Sequence, residues 1–259
     1  MSEPKIITDF RPPKGFATGL EPRDYSVFPQ GFAAGPFRLP LIDRSEIPDR
    51  IREKEKARSG LKFIREICGP NGGLMPATNQ GRTKYCWMYA VVTAALFQRG
   101  LQGQPYESLS GTGPAAKIKN YRNQGGWVGQ GIEYIVEHGI PREVDIPQGM
   151  EGLRKDLVEM PEVWERAKQF RVVEWMELER GNLDQFATCL LLDIPVACEY
   201  MSMGHAMCAY SLTKWDGRSF EHDVLNSWGP NWGTKGAGRM AGRSGIPSGM
   251  VAPLTVEVG

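Results

Sequence analysis

Three short blocks of the sequence carry side chains that could do nucleophilic chemistry. Cys86 stands directly before Trp87, at the start of an apolar stretch. His205 follows 119 residues later in a Gly-His-Ala sequence, and Asn226 lies 140 residues after the cysteine in an Asn-Ser-Trp-Gly sequence. A thiolate can attack a carbonyl carbon, an imidazole can carry its proton, and a third polar group can orient the imidazole. The blocks therefore predict covalent catalysis by Cys86, with a buried core cysteine as the alternative.

The apolar stretch indicates how the thiol is positioned. Residues 87–98 are apolar almost all round, which predicts a buried central helix with Cys86 in its first turn. The dipole and the free N–H groups of a helix N-terminus stabilise an anion, so we expect the pKa of this thiol to lie below its usual value of about 8.5.

The remaining periodicity predicts an α+β protein in which a helical half precedes a strand-rich half. Amphipathic patterns favour helices at 129–138 and 182–192. The later part of the chain favours strands, with a hairpin turn at Asp216-Gly217, and the predicted strands are 196–200, 206–212, 221–225 and 254–258.

The N-terminal region is different in composition. Residues 1–45 contain many prolines, glycines and aromatic residues without a sustained period, which predicts an extended arm. Residues 46–75 form a connecting segment, in which a charged helix, a break at Ser59-Gly60 and a short amphipathic helix are predicted. A folded domain is predicted over 76–259.

The catalytic blocks resemble those of the papain family of cysteine peptidases. That family carries Gln-Gly…Cys-Trp, then Gly-Gly, then His-Ala, then Asn-Ser-Trp-Gly, and this chain has all four blocks in that order over about residues 76–245. The resemblance implies a two-lobed fold with the active-site cleft between the lobes. The helical lobe would comprise about residues 80–192, and the barrel-like β lobe about residues 193–259.

The resemblance also implies catalytic roles. Cys86 would be the nucleophile, and His205 would be the base and the ion-pair partner. Asn226 would accept the ring N–H of the histidine, while Trp228 would shield that hydrogen bond from water. Gln80 would stabilise the oxyanion together with the backbone N–H of the cysteine, with an ordinary loop glutamine as the alternative.

A second set of residues would bind the substrate. The Gly-Gly block resembles the segment that pairs with an extended peptide, because glycine allows two backbones to approach closely. A simple loop turn is the alternative. Apolar side chains nearby predict a pocket for a bulky hydrophobic residue, and the predicted substrate-binding residues are Gly125, Gly126, Trp127, Val128, Met203 and Ala206.

Two features depart from the family pattern. The histidine comes early, since family spacings to these partners are roughly 130 to 150 residues. The shortfall lies between Pro195 and Gly204, which predicts a more open cleft. Thr83 and Asn123 occupy the positions of a disulfide that secreted relatives usually carry. With an odd count of five cysteines, we expect folding without oxidation.

Composition limits the other classes of partner. The formal net charge is +1, from 31 basic and 30 acidic residues, so no strong field favours nucleic acid or an anionic membrane. No signal sequence or membrane anchor is predicted. We therefore expect a polypeptide substrate, no nucleic acid, no membrane, no metal and no organic cofactor, with a location in the cytoplasm or within a viral or phage particle.

Alternative functions stay open on the sequence alone. The arm at residues 1–45 could dock on a protein partner, which would make the chain a structural or assembly component, for example of a virus or phage particle. A transferase or an amidase could use the same three groups. A short self-inhibitory segment is a further possibility. The favoured function is an endopeptidase, since the paired histidines of an exopeptidase loop are missing.

Overall fold

The structure is a computed structural model, and it describes residues 3–31, 35–57, 63–150, 152, 155–217 and 219–258. The helices within these residues are α1 (Ile47–Ala57), α2 (Ile64–Ile67), α3 (Cys86–Leu101), α4 (Thr112–Ile118), α5 (Val128–His138), α6 (Lys155–Val158), α7 (Pro161–Ala167) and α8 (Leu183–Leu191). The strands are β1 (Gly35–Pro36), β2 (Val172–Glu177), β3 (Val196–Tyr200), β4 (His205–Trp215), β5 (Phe220–Leu225), β6 (Ala237–Ala241) and β7 (Gly249–Val256).

The strands form one sheet in the order β1-β2-β7-β3-β4-β5-β6. Strand β1 runs parallel to β2, and the other neighbouring strands are antiparallel. The side chains of β3 alternate between two buried faces of the sheet, so that Ala197 belongs to one apolar cluster and Cys198 to the other. The sheet therefore has a core on each face.

Helix α3 fills the first core. Each of its residues from Cys86 to Arg99 is buried, and it packs against β3, β4 and β7 as well as against α5. A helix that is apolar all round has to be enclosed on all sides, and here the sheet covers one side while helices cover the other. The first turn of α3 is thereby fixed next to the edge where β4 begins.

Helices α1 and α8 cover the opposite face of the sheet. Ile47 and Ile51 of α1 pack there with Phe186 of α8. The arm contributes to the same core through Phe10 and Phe37, among other side chains. Helix α8 starts where the side chain of Asn182 accepts a hydrogen bond from the backbone N–H of Gln185 at 3.1 Å, the expected capping interaction.

Several sequence predictions are confirmed by these elements. The central helix begins at Cys86, and the predicted helices at 129–138 and 182–192 correspond to α5 and α8. The predicted strands at 196–200, 206–212 and 221–225 lie within β3, β4 and β5, whereas the strand predicted at 254–258 overlaps only the end of β7. Strand β2 was not predicted, and it joins the sheet from a region assigned to the helical lobe. The predicted break at Ser59-Gly60 lies outside the described residues. No helix among the described residues is long and apolar enough to cross a membrane.

Candidate active site

Cys86 lies at the point where the helical part meets the sheet. It is the first residue of α3 and has no exposed surface. The backbone N–H groups of Ala206, Gly19 and Trp87 lie near its sulfur and act to lower the pKa of the thiol. Because Ala206 directly follows His205 at the start of β4, this contact brings the thiol to the strand that carries the histidine.

His205 and Asn226 form a hydrogen-bonded pair on neighbouring strands. His205 begins β4, Asn226 directly follows β5, and His205 Nε2 lies 2.7 Å from Asn226 Oδ1. The same oxygen accepts the backbone N–H of Ser227 at 2.7 Å, which identifies it as the carbonyl oxygen of the amide. The ring proton of His205 is therefore on Nε2. Its buried Nδ1 has no hydrogen-bond partner among the described residues, so it is available as an acceptor.

Trp228 covers this pair, and Trp232 packs against Trp228. The ring of Trp228 lies 4.3 Å from that of His205, and Trp232 packs edge-on against Trp228 at 5.8 Å. His205 and Asn226 are both buried. Enclosure in apolar surroundings strengthens a hydrogen bond, because water cannot compete for its atoms.

The side chain of Gln80 is held from both ends. Its amide nitrogen donates to the backbone oxygens of Thr83 at 2.7 Å and Ala17 at 3.0 Å. Its amide oxygen accepts the hydroxyl of Ser227 at 2.6 Å, and its backbone N–H donates to the Ser227 carbonyl at 2.8 Å. Ser227 was not predicted as a functional residue, although it lies within the Asn-Ser-Trp-Gly block. It ties the glutamine to the segment that carries Asn226.

The N-terminal arm runs through the cleft above these groups. The backbone N–H groups of Gly19 and Leu20 donate to the Gly204 carbonyl at 3.2 and 3.0 Å. On the other wall, Glu21 donates to the Gly126 carbonyl at 2.9 Å, and the Gly126 N–H donates to the Gly19 carbonyl at 2.9 Å. The arm thus fills the cleft beside the short turn between β3 and β4, where the sequence predicted a more open site.

The glycines of the cleft allow this close approach. A Cβ at Gly126 would lie 2.7 Å from the indole of Trp87, and a Cβ at Gly125 would overlap the Gly19 carbonyl of the arm. Gly19 is itself constrained, because a Cβ there would overlap the carbonyl group of Lys84 and lie 2.7 Å from its Cα. Only chain segments without side chains at these points can lie so close together.

The predicted substrate pocket is partly assembled. Val128 and Ala206 pack in the same apolar cluster as Leu20 of the arm. Met203 packs in the cluster on the opposite face of the sheet. The pocket region also holds a carboxyl group that sequence reasoning missed, since Glu199 accepts the backbone N–H of Val128 at 2.8 Å.

Burial favours the uncharged forms of the Cys86 thiol and the His205 imidazole in the covered site. Burial raises the pKa of the Cys86 thiol to about 12, although backbone N–H groups act in the opposite direction. Burial likewise lowers the pKa of His205 to about 4, against the effect of its hydrogen bond to Asn226. The sequence predicted a lowered thiol pKa. That prediction is wrong for this arm-covered structure, because desolvation outweighs the helix N-terminus.

The loop before the nucleophile is fixed without a disulfide. The side chain of Asn123 accepts the backbone N–H of Lys84 at 2.6 Å and donates to the Arg82 carbonyl at 3.3 Å. Asn123 occupies one of the positions where the family resemblance places a disulfide cysteine. All five cysteines of the chain are free and buried.

The chain resembles known proteins in its structure. No family model matches the sequence, and no curated protein sequence matches it. A digestive procathepsin L 3 from the larval midgut of Tenebrio molitor has a TM-score of 0.61 at 18% identity, over 87% of this chain and 75% of that chain. Xylellain, a cysteine protease from Xylella fastidiosa, has a TM-score of 0.60 at 15% identity, over 100% of this chain and 99% of that one.

A third solved structure is the Carica candamarcensis cysteine protease CMS1MS2 in complex with E-64. It has a TM-score of 0.51 at 20% identity, over 70% of this chain and 92% of that chain. These similarities confirm the predicted α+β class, and the chain has the two-lobed fold of the papain-like cysteine proteases.

Proposed function

We propose that the protein is a cysteine peptidase that hydrolyses peptide bonds through Cys86, His205 and Asn226. One observation carries the proposal. The buried histidine has its Nε2 proton engaged by an amide oxygen and its Nδ1 unpaired among the described residues, beside the strand edge that contacts the thiol. This tautomer suits a base that takes a thiol proton on Nδ1. The solved structures of the same fold described above are cysteine proteases, which supports this chemistry.

The proposed reaction has two stages. The Cys86 sulfur attacks the carbonyl carbon of a peptide bond while His205 takes the thiol proton, and the carbonyl oxygen gains negative charge. The amide of Gln80 and the backbone N–H of the cysteine stabilise that charge. His205 then protonates the leaving amine, and water hydrolyses the thioester to regenerate the thiol.

The path of the arm supports an endopeptidase. Within the arm, Gly19 lies near the thiol, Ala17 before it contacts Gln80, and Glu21 after it contacts Gly126. An extended chain therefore enters the cleft on one side of the nucleophile and leaves on the other. A cleft with two open ends accommodates internal bonds of a polypeptide.

The same path supports a latent state. The arm pairs with Gly126 in the parallel sense, with Leu20 opposite the glycine, and it leaves the thiol without exposed surface. A substrate and the arm cannot occupy the cleft together, so activity requires displacement of the arm.

Covalent labelling tests the proposed chemistry. A vinyl-sulfone probe is added to the full chain carrying Gly19→Ala, in which the new Cβ would overlap Lys84 and expel the arm from the cleft. We expect modification at Cys86, located by mass spectrometry, and loss of that modification on adding either Cys86→Ala or His205→Ala. Labelling that is equally fast without His205 would contradict an imidazole-activated thiol.

A further inference from the structure

A second pocket lies beside the cleft, and the arm fills it with the side chain of Arg23. The guanidinium forms an ion pair with Glu177, and the two side chains are 5% and 6% exposed. It also lies over the ring of Trp127, at 4.5 Å from the ring centroid. The guanidinium also donates to the backbone carbonyls of Phe28 and Pro29 within the arm. The folded body supplies the carboxylate and the aromatic face, which suit the charge and the flat surface of a guanidinium.

The walls of this pocket belong to the folded body of the protein. Glu177 pairs with Val251 of β7, and β7 also pairs with β3, where Glu199 lies opposite Gly249. Both glutamates therefore come from strands that flank β7, near the same end of the sheet. Glu199 is held on the Trp127 side by its hydrogen bond from the backbone N–H of the next residue, Val128.

The charge of the body around the pocket is acidic. Glu133 of α5 and Glu199 both interact electrostatically with Arg23 and Glu177. Burial raises the pKa of Glu199 to about 7. The nearby cation of the body is Arg180, which lies over the ring of the arm's Tyr25 at 5.3 Å from the ring centroid, while Arg23 lies over the same ring at 4.8 Å. When the arm leaves, its own cation and Tyr25 leave with it, and the carboxylates stay.

The pocket also lies where a substrate would bind. Trp127 follows Gly126, which pairs with the arm in the cleft, and Arg23 is three residues beyond the paired Leu20. We propose that a peptide substrate runs through the cleft in the direction opposite to the arm and that, once the arm is displaced, the pocket of Trp127, Glu177 and Glu199 binds an arginine side chain of that substrate, upstream of the bond that is cut. This proposal rests on the proposed peptidase function. It replaces the apolar preference predicted from sequence, and it makes Arg23 a stand-in for a substrate residue.

The first test asks whether the pocket accepts a guanidinium from solution, and it does not depend on catalysis. In the full chain with Arg23→Ala, N-ethylguanidinium at ten times its dissociation constant should raise the melting temperature by about 2–4 °C relative to the neutral analogue ethylurea. Arg11→Ala is the matched control, because Arg11 is an exposed arm arginine. Adding Glu177→Gln to Arg23→Ala should abolish the rise, whereas Glu174→Gln, an exposed glutamate of the same strand, should leave it.

The second test asks whether a substrate uses the pocket. Peptidyl vinyl sulfones with arginine, leucine or glutamate at each of the second to fourth positions before the reactive group are compared on the full chain with Gly19→Ala and Arg23→Ala. We expect the arginine probe to label Cys86 at least about tenfold faster than the leucine probe at one of these positions, as expected for one charge-assisted ion pair. Adding Glu177→Gln should remove this preference.

The outcomes separate the two proposals. Absence of the thermal rise, or equal labelling by the arginine and leucine probes, would overturn the arginine pocket while labelling of Cys86 still supports the peptidase. A thermal rise without labelling by any probe would refute the peptidase, and with it the substrate role of the pocket. A preference that survives Glu177→Gln would also overturn the assignment.

Discussion

Displacing the arm should expose the nucleophile, and Gly19→Ala is the smallest change that does so. A Cβ at this position would overlap the carbonyl group of Lys84. Backbone atoms cannot give way as the end of a flexible side chain can, so the arm has to move instead. Gly19 has no positive φ, and alanine is therefore compatible with its local backbone conformation.

The size of the effect follows from the contacts that hold the arm in the cleft. Four backbone hydrogen bonds join residues 19–21 to Gly204 and Gly126, each contributing about 1 kcal/mol, and burial of Leu20 adds about 2 kcal/mol. Ordering three residues costs roughly 3–6 kcal/mol. The difference favours the covered state by about 1.5 kcal/mol at the middle of that range, which corresponds to about a 12-fold ratio of covered to open cleft.

Alkylation by iodoacetamide measures this ratio. We expect Cys86 in Gly19→Ala to react about 12 times faster than in the unmodified chain. The rate should increase further as the thiol becomes solvated and its pKa falls from the covered value of about 12. Gly35→Ala is the matched control, because a Cβ at Gly35 meets nothing closer than an Arg38 side-chain atom at 3.6 Å.

The other cysteines of the chain serve as an internal control in the alkylation experiment. The other four cysteines are buried, so their reactivity reports any general loosening of the fold. Equal alkylation of Cys86 in Gly19→Ala, Gly35→Ala and the unmodified chain would refute the reasoning that the arm is what covers the thiol.

Two further predictions concern the groups behind the nucleophile. Ser227→Ala leaves the buried amide oxygen of Gln80 without its hydroxyl partner, at a cost of about 1–3 kcal/mol. When it is added to the Gly19→Ala chain, kcat/KM for a peptide should fall about 10- to 100-fold while iodoacetamide alkylation of Cys86 is unchanged. Ser227→Thr in the same chain should restore activity. The free energy of unfolding should decrease as the pH falls below about 6.5, because burial holds the pKa of His205 at about 4 and that of His222 at about 3, and both take up protons on unfolding. Glu199 has a raised pKa of about 7, so above pH 4.5 it releases one proton on unfolding and cancels the uptake by one histidine. The net uptake of one proton should lower the free energy of unfolding by about 1.4 kcal/mol per pH unit as the pH falls. Denaturant titrations between pH 4.5 and 6.5 measure this slope, and a free energy of unfolding that does not change with pH would contradict the prediction.

The catalytic blocks could be predicted from sequence because their chemistry depends on residue types at fixed local positions. The apolar run after Cys86 predicts a buried helix wherever the rest of the chain lies, and Asn-Ser-Trp-Gly brings a carboxamide and its covering indole together within four residues. Strand β2 was harder to predict, because the pattern of residues 172–177 is broken by exposed positions and by irregular pairing with β7.

The position of the arm could not be predicted for a different reason. Its contacts with Gly126, Gly204 and Gln80 are made by backbone atoms and by residues distant in sequence, so no local periodicity records them. The carboxyl pocket is likewise a product of the tertiary fold. Glu177 and Glu199 are separated by 22 residues and meet only because both of their strands flank β7.

Cleavage of long peptides is the direct test of the proposed peptidase function. The full chain with Gly19→Ala is incubated with a mixture of long peptides, and the new termini are identified by mass spectrometry. We expect cuts at internal bonds that disappear when Cys86→Ala is added. No cleavage above the Cys86→Ala background, in a preparation whose Cys86 reacts readily with iodoacetamide, would contradict the proposed peptidase.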